Sequence, residues 1–307
     1  MSAQDSRMLD FSGRVAIVTG AGSGLGRSHA LLLASRGARV VVNDLGGAVD
    51  GRGGSATAAD AVVAEIKAAG GEAVANHDSV SDPAGAARIV QVALDAWGRV
   101  DILVNNAGIL RDKSFAKMPL EDFDAVMAVH LLGSAYVTHA AWPHMQAANY
   151  GRVVMTTSAA GLYGNFGQTN YGAAKLGLVG LMNALKQEGG KNGILINTIA
   201  PVAATRMTEP LFPPKLLPHL QPAYISAVVA YLCSESCNAT GDIISVGAGY
   251  YAKAQIVESE GVFYGAGAEV TPEMIAADWG RITDMGKARA YGAAMEEVAK
   301  IFGYFIK

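Results

Sequence analysis

"RVAIVTGAGSGLG", residues 14–26, decides how the rest of the chain is read. Its first half is a short apolar run rich in Val and Ile, the composition of a strand covered on both faces. Its second half sets Gly20, Gly24 and Gly26 in a turn, and "SGLGRSHALLLASRG" (23–37) continues as a helix that stops at a glycine. Glycine here permits a tight turn, lets backbone approach a pyrophosphate, and allows close helix–strand packing. The first turn of the helix adds unpaired N–H groups and a positive dipole end. Gly20, Ser23, Gly24, Leu25 and Gly26 are therefore candidate contacts for a dinucleotide.

Working outward, the same alternation repeats. "ARVVVND" (38–44), "EAVANHD" (72–78), "VDILVNNAG" (100–108), "GRVVMTTS" (151–158), "ILINTIAP" (194–201) and "DIISVGAG" (242–249) read as strands. Helical stretches separate them at 55–71, 83–98, 119–148, 170–188 and 223–234. Apolar strands alternating with helices predict an α/β fold: a doubly wound, seven-stranded parallel sheet of Rossmann-like type with right-handed crossovers. Ligands collect at the carboxyl ends of such strands. Residues 1–250 are expected to form this dinucleotide-binding domain, and 251–307 a helical C-terminal extension packed on the same domain or on a partner subunit. In the extension, Thr271 precedes Pro272 as a helix start and "AYGAAMEEVAKIF" (290–302) is amphipathic. The glycine-rich "LGGAVDGRGG" (45–54) reads as a flexible surface connection.

Composition narrows the function class. The chain has 307 residues, 51% hydrophobic and 17% charged, enough to bury a large core without disulfides. A net charge of −3 gives no reason to expect nucleic acid or an anionic membrane as partner. No uninterrupted apolar stretch reaches about 18 residues, so no membrane span is expected, and "MSAQDSRMLD" lacks a secretory apolar region. The two cysteines, Cys233 and Cys237, lack companion ligands, so neither a disulfide nor a metal site is expected, and the protein is expected to be cytoplasmic.

Two groups of residues carry chemistry. Asp44 stands 18 residues past Gly26, at the end of the second strand. A carboxylate there accepts the hydroxyls of an adenosine ribose and repels a 2′-phosphate, which favours NAD over NADP. Asp78 ends the third strand, where an adenine amine can be met. Asn105 and Asn106 end the fourth and either tie strands together or line the cleft. Tyr171 and Lys175 are the second group, one helical turn apart in "NYGAAKLGL" (170–178). A free phenol, with a pKa near 10, is a poor base at neutral pH, and a neighbouring ammonium lowers that value. Ser158, ending the fifth strand, can donate to a substrate oxygen as charge develops.

"TGAGSGLG" (19–26), "NNAG" (105–108), Ser158 and "YGAAK" (171–175), in this order, resemble the short-chain dehydrogenase/reductase family over about residues 10–250. The resemblance implies that Tyr171 is the acid/base, that Lys175 lowers its pKa and holds the nicotinamide ribose, and that Ser158 orients the substrate oxygen. It further implies cofactor contacts at Ser79, Ala107, Gly108, Pro201 and Thr205. The family usually has an asparagine proton relay on the long helix before the fifth strand; "AVHLLGS" (128–134) holds His130 there. That histidine can relay a proton or simply pack.

"VVNDLGG", "NNAGILRDKSF", "NTIAP" and "TPEMIAADWGRITDM" (271–285) narrow the resemblance to the dehydrogenase part of peroxisomal multifunctional enzyme type 2 and its bacterial stand-alone relatives. That group oxidises (3R)-3-hydroxyacyl-CoA thioesters with NAD. The implied protein is a stand-alone dehydrogenase for fatty or steroid side-chain thioesters, homodimeric or homotetrameric, with any enoyl-CoA hydratase partner separate. A 17β-hydroxysteroid dehydrogenase acting on free steroid is the alternative enzyme, and an NAD-binding scaffold subunit the alternative without catalysis. The resemblance places the stretch 201–222, with six prolines, against nicotinamide and substrate, with "MTEPLF" (207–212) either a lid or part of a rigid surface loop.

Overall fold

The computed structural model describes residues 8–204 and 213–305. They form two compact units that divide after Lys253. The first is built on one sheet: β1 (Val15–Thr19), β2 (Arg39–Asn43), β3 (Glu72–Asn76), β4 (Ile102–Asn105), β5 (Gly151–Thr156), β6 (Ile194–Val202), β7 (Ile243–Gly247) and β8 (Tyr250–Ala254). Their order is β3-β2-β1-β4-β5-β6-β7-β8. The seven strands expected from the sequence run parallel, with Ile17 of β1 opposite Val41 of β2 on one side and Leu103 of β4 on the other.

The eighth strand was not legible. Ala248 and Gly249 have φ of 49° and 78°, the positive pair of a tight hairpin turn. A two-residue link returns the chain antiparallel along β7, so the stretch that reads as the start of an extension closes the sheet edge instead.

The strands are apolar because helices cover both faces. On one side α1 (Gly24–Ser35) packs on α2 (Thr57–Ala68) and α8 (Pro222–Cys233). The other carries α3 (Pro83–Trp97), α4 (Leu120–Met127), α5 (Gly133–Ala148) and α7 (Thr169–Gly189). Asp82 caps α3 by accepting from the N–H groups of Ala84 and Gly85, ahead of Pro83. Val18, Val40, Val42, Ile102 and Ile199 lie in the core against Leu33, Ile66 and Val229. Each such side chain contributes about 1.5–3 kcal/mol by leaving water. Cys233 and Cys237 are buried free thiols. Among the described residues, Pro214–Cys233 reaches the length and mean hydropathy (1.3) of a membrane span, but Pro222 restarts the chain as α8, whose Ile225, Val229 and Leu232 are buried.

In the second unit, Thr271 caps α9 (Pro272–Ile282) by accepting from the Met274 N–H. The Glu258 carboxylate accepts from the Lys300 ammonium of α10 (Ala294–Phe302) at 2.8 Å, and Phe263 stacks on Tyr304 at 4.5 Å.

The strand order places the site. From β1 the chain goes outward to β2 and β3, then crosses to β4 on the other side of β1. Helices leaving β1 and β4 diverge to opposite faces and open a crevice at the carboxyl ends of the strands.

Candidate active site

A cavity of about 720 Å³ fills that crevice. Its floor is the glycine turn. At Gly20 (φ 63°) a Cβ would sit 2.7 Å from the Ala107 Cα, and at Gly26 it would sit 2.2 Å from the Gly20 carbonyl oxygen. The turn therefore holds its shape only without side chains, and it presents the start of α1 to the cavity. Gly20, Ser23, Gly24 and Leu25 line it. Gly26 does not; it serves the packing of α1 on the turn.

Asp44 follows β2. Its carboxylate accepts from the Gly22 and Gly46 N–H groups, each at 2.7 Å, which fixes it on the cavity wall. Asp78 and Ser79 line the cavity beyond it, the Asp78 carboxylate accepting from the Arg88 Nε at 2.7 Å and the Asn76 Nδ2 at 2.8 Å. Ala107, Gly108 and Pro201 also face the cavity. Asn105, expected as a cofactor contact, does not. Strand side chains alternate sides, and its amide is turned to α5, donating to the Thr138 hydroxyl at 2.9 Å. Asn106 takes the place facing the cleft and donates to the carbonyls of Thr19 and Gly20. Thr205 and the "MTEPLF" segment lie outside the described residues.

At the other end of the cavity Ser158, Tyr171 and Lys175 converge. Ser158 leaves β5, caps the short α6 (Ala159–Tyr163), and hydrogen-bonds the Tyr171 phenol. Tyr171 is in the first turn of α7 and Lys175 one turn on, with only 3% of its surface exposed. The Lys175 ammonium donates to the Thr156 carbonyl at 2.5 Å and lies 5.4 Å from the Tyr171 ring centroid. This departs from the expectation that the ammonium holds the phenol low. Burial raises Tyr171 above its ordinary value, against the lowering pull of the Ser158 hydrogen bond. Burial also brings Lys175 down to about 7. For each group the first cause is its own desolvation, which disfavours the charged form.

His130 lies where the long helix widens into a π turn over Ala128–Leu132, a distortion found often at functional sites. It is buried, stands edge-on to Tyr171 at 5.1 Å, and nearly touches Gly108, where a Cβ would be 2.3 Å from its Cε1. Nε2 lies 3.0 Å from the Ile109 nitrogen and 2.8 Å from the Ile109 oxygen. It satisfies one or the other according to tautomer, and Nδ1 has no protein partner. Burial and the Lys175 charge hold its pKa well below the ordinary value, so the ring is neutral.

The 45–54 stretch corrects another expectation. It is no free surface connection: Leu45, Gly47, Ala48, Val49 and Gly51 form a wall of the cavity. Backbone bonds close it on itself, from Ser55 N–H to the Leu45 carbonyl and from Ala48 N–H to the Arg52 carbonyl. Sequence reading also passed over Ile109, Leu110 and Arg111, which face the cavity just after "NNAG". Their only sequence signal is that position, immediately past the carboxyl end of β4.

A glycine cradle, a helix start and a fixed carboxylate at one end, with a serine, tyrosine and lysine at the other, fit a dinucleotide presented to an alcohol or ketone. The sequence matches the short chain dehydrogenase family over residues 14–215. It is 53% identical over 279 residues to a short-chain type dehydrogenase/reductase of Mycobacterium tuberculosis, covering 91% of this chain and 97% of that one. The chain belongs to the short-chain dehydrogenase family and is an oxidoreductase that uses a nicotinamide cofactor.

Peroxisomal multifunctional enzymes of Dictyostelium discoideum and Drosophila melanogaster are each 52% identical, over 95% and 96% of this chain. The chain spans 65% and 49% of their lengths. The full-length Drosophila structure superposes with a TM-score of 0.82 at 44% identity, over 96% of this chain and 50% of that one. A 7α-hydroxysteroid dehydrogenase complexed with NADH and 7-oxo glycochenodeoxycholic acid superposes with a TM-score of 0.71 at 30% identity, over 78% of this chain and 95% of that one.

Proposed function

We propose that this chain oxidises a (3R)-3-hydroxyacyl-CoA thioester to the 3-ketoacyl-CoA, with NAD as cofactor. The observation that carries the substrate class is that similarity to the peroxisomal multifunctional enzymes extends over 95% of the chain, beyond the dinucleotide-binding unit. When bound, NAD accepts the hydride from C3. The chain's own residues do the rest. The Ser158 hydroxyl donates to the C3 oxygen, and Tyr171, once it has given up its own phenolic proton, accepts the C3 hydroxyl proton. As C3 becomes a carbonyl, Ser158 keeps a donor on that oxygen. Lys175, when protonated, supports the tyrosinate. His130, neutral and edge-on to Tyr171, packs behind the phenol ring, its Nε2 taken up by the Ile109 backbone. Asp44, held by two backbone N–H groups, accepts the adenosine ribose and repels a 2′-phosphate.

The outward faces of α5 and α7 support the expected self-association. Tyr136, Trp142, Leu181 and Leu185 line a shallow 320 Å³ depression there, a feature that a second copy can cover.

The deciding experiment is turnover of (3R)- and (3S)-3-hydroxyacyl-CoA esters of several chain lengths with NAD and with NADP, followed by nicotinamide absorbance. The expected result is oxidation of the (3R) series with NAD. The likeness to a hydroxysteroid dehydrogenase favours one rival. Turnover of free hydroxysteroids with none of any CoA ester would establish that rival in place of this reading.

A further inference from the structure

The 108–111 strip is anchored on both sides. On the cofactor side, the Leu110 N–H donates to the Val49 carbonyl and the Arg111 Nε to the Asp50 carbonyl, both at 2.9 Å. Gly51 (φ 82°) lies flat against Ile109: an added Cβ would be 2.9 Å from its Cγ2. On the catalytic side, Arg111 Nη1 donates to the Asp122 carboxylate of α4 at 3.2 Å, and Lys113 shares that carboxylate at 3.6 Å. The Asn170 amide, fully buried, donates to the Arg111 carbonyl at 3.1 Å and the Asp122 carbonyl at 3.3 Å. Its oxygen accepts from the Tyr171 N–H at 2.7 Å. A single guanidinium thus touches the wall of the dinucleotide cleft and the α4 turn that holds the residue before the catalytic tyrosine.

We infer that Arg111 is a positioning residue that docks the 45–54 wall onto the cofactor and ties that docking to the placement of Tyr171. Arginine suits the task. Its planar fork donates in two directions at once, to the Asp50 carbonyl and the Asp122 carboxylate, whereas lysine offers one compact charge that serves one of them. The loop is glycine-rich and its own backbone bonds only close it on itself, so what holds it to the 108–111 strip is the Leu110–Val49 and Arg111–Asp50 bonds with the Gly51–Ile109 contact. The inference rests on the reading of the cleft as a dinucleotide site and assigns a function to a loop that reads as mere connection.

The test is the rate of NADH release, measured by stopped-flow fluorescence without substrate, together with single-turnover hydride transfer at saturating NAD. Arg111→Ala should release NADH about fivefold faster, the scale of losing one backbone hydrogen bond, and should also slow hydride transfer. Arg111→Lys should keep the Asp122 pair, and so recover most of the hydride-transfer rate, while still releasing NADH faster than wild type. Gly51→Ala undocks the same loop without touching Arg111 and should speed release on its own. If both residues hold one docked loop, the Gly51→Ala, Arg111→Ala double variant should release NADH little faster than the faster single variant. Release within twofold of wild type in either single variant, or effects that multiply in the double variant, overturns the inference. Failure of the wild-type protein to bind NADH would sink the reading of the cleft as well, which separates the two outcomes.

Discussion

At the amino ends of β1 and β4, Asp101 is completely buried, yet every lone pair in play is used. Its carboxylate accepts from the Val15 N–H at 2.8 Å, from Arg14 at 3.1 Å, and from two nitrogens of Arg99 at 2.6 and 2.8 Å. Arg14 also pairs with Glu235 and lies over the Tyr150 ring at 3.7 Å, with Arg152 against the same ring at 4.4 Å. At the carboxyl ends of the sheet, buried polar groups are left short. Among the described residues Lys175 pairs with no carboxylate, its ammonium resting on the Thr156 carbonyl, and His130 Nδ1 and Thr156 Oγ1 have no protein partner. One sheet thus carries a saturated ionic lock at one end and an unsaturated set of donors and acceptors at the other. A satisfied buried charge is a device for stability; an unsatisfied one costs stability and is kept where a ligand or a moving proton completes it.

The contrast predicts that the two ends fail differently. Tyr171→Phe should show the largest effect, a fall of about 10²–10⁴ in kcat for hydroxyacyl-CoA oxidation. Its thermal midpoint should match or exceed the wild type, because a buried hydroxyl is removed. Normal turnover in this variant would remove the base from the mechanism. At the opposite end, Asp101→Ala should cost about 1–3 kcal/mol in urea unfolding, since it leaves the buried Val15 N–H without an acceptor and takes a partner from Arg14 and Arg99. NADH affinity in the cold should be nearly unchanged; a stable variant with weakened cofactor binding would mean the two ends are not separate.

A third prediction uses His29, buried between α1 and α8. Its Nδ1 lies 2.8 Å from the Ser226 hydroxyl, its Nε2 has no protein partner, and burial brings its pKa down to about 3. The unfolded chain has the ordinary value near 6.5 and so binds this proton first. Stability is therefore full above about pH 6.5 and is lost as pH falls toward 3, by up to about 1.4 kcal/mol per pH unit for this group. Unfolding measured between pH 7 and pH 5 should show that slope, and His29→Gln should flatten it; an unaltered slope assigns the acid sensitivity elsewhere. The smallest expected effect is at Asp44. Asp44→Asn keeps an acceptor for the turn but loses the charge, so preference for NAD over NADP should shrink about tenfold. Unchanged preference in a competition assay would show that the carboxylate does not select the cofactor.

How much could be read in advance follows the same division. Val15–Thr19 and the other strands were legible because a parallel sheet buries both faces and leaves uninterrupted apolar runs. The glycine turn was legible because Gly20 and Gly26 are demanded by close backbone contacts at fixed spacing. Tyr171 and Lys175 were legible as neighbours because the helix repeat places them one turn apart. What that spacing did not disclose was their electrostatics. Burial depends on what α6, α5 and β5 bring around the pair, and here it raises the phenol and lowers the ammonium. Asn105 and Asn106 show the same limit, since a strand end decides which of two adjacent amides faces the cleft. The 45–54 loop shows it most plainly: nothing in "LGGAVDGRGG" announces that Asp50 meets Arg111, 61 positions later.

The sequence by itself determined the parallel α/β sheet, the place of the cleft at its carboxyl edge and the one-turn separation of Tyr171 and Lys175, because these follow from periodicities and short spacings encoded within single elements; Ser158 joined them only through resemblance to a family pattern. Only the tertiary structure decided that His130 is neutral, that Lys175 sits near the middle of its titration at neutral pH, and that a glycine loop walls the cofactor cleft. Those properties arise from desolvation and from contacts between segments far apart in the chain, and no local pattern of residues carries them.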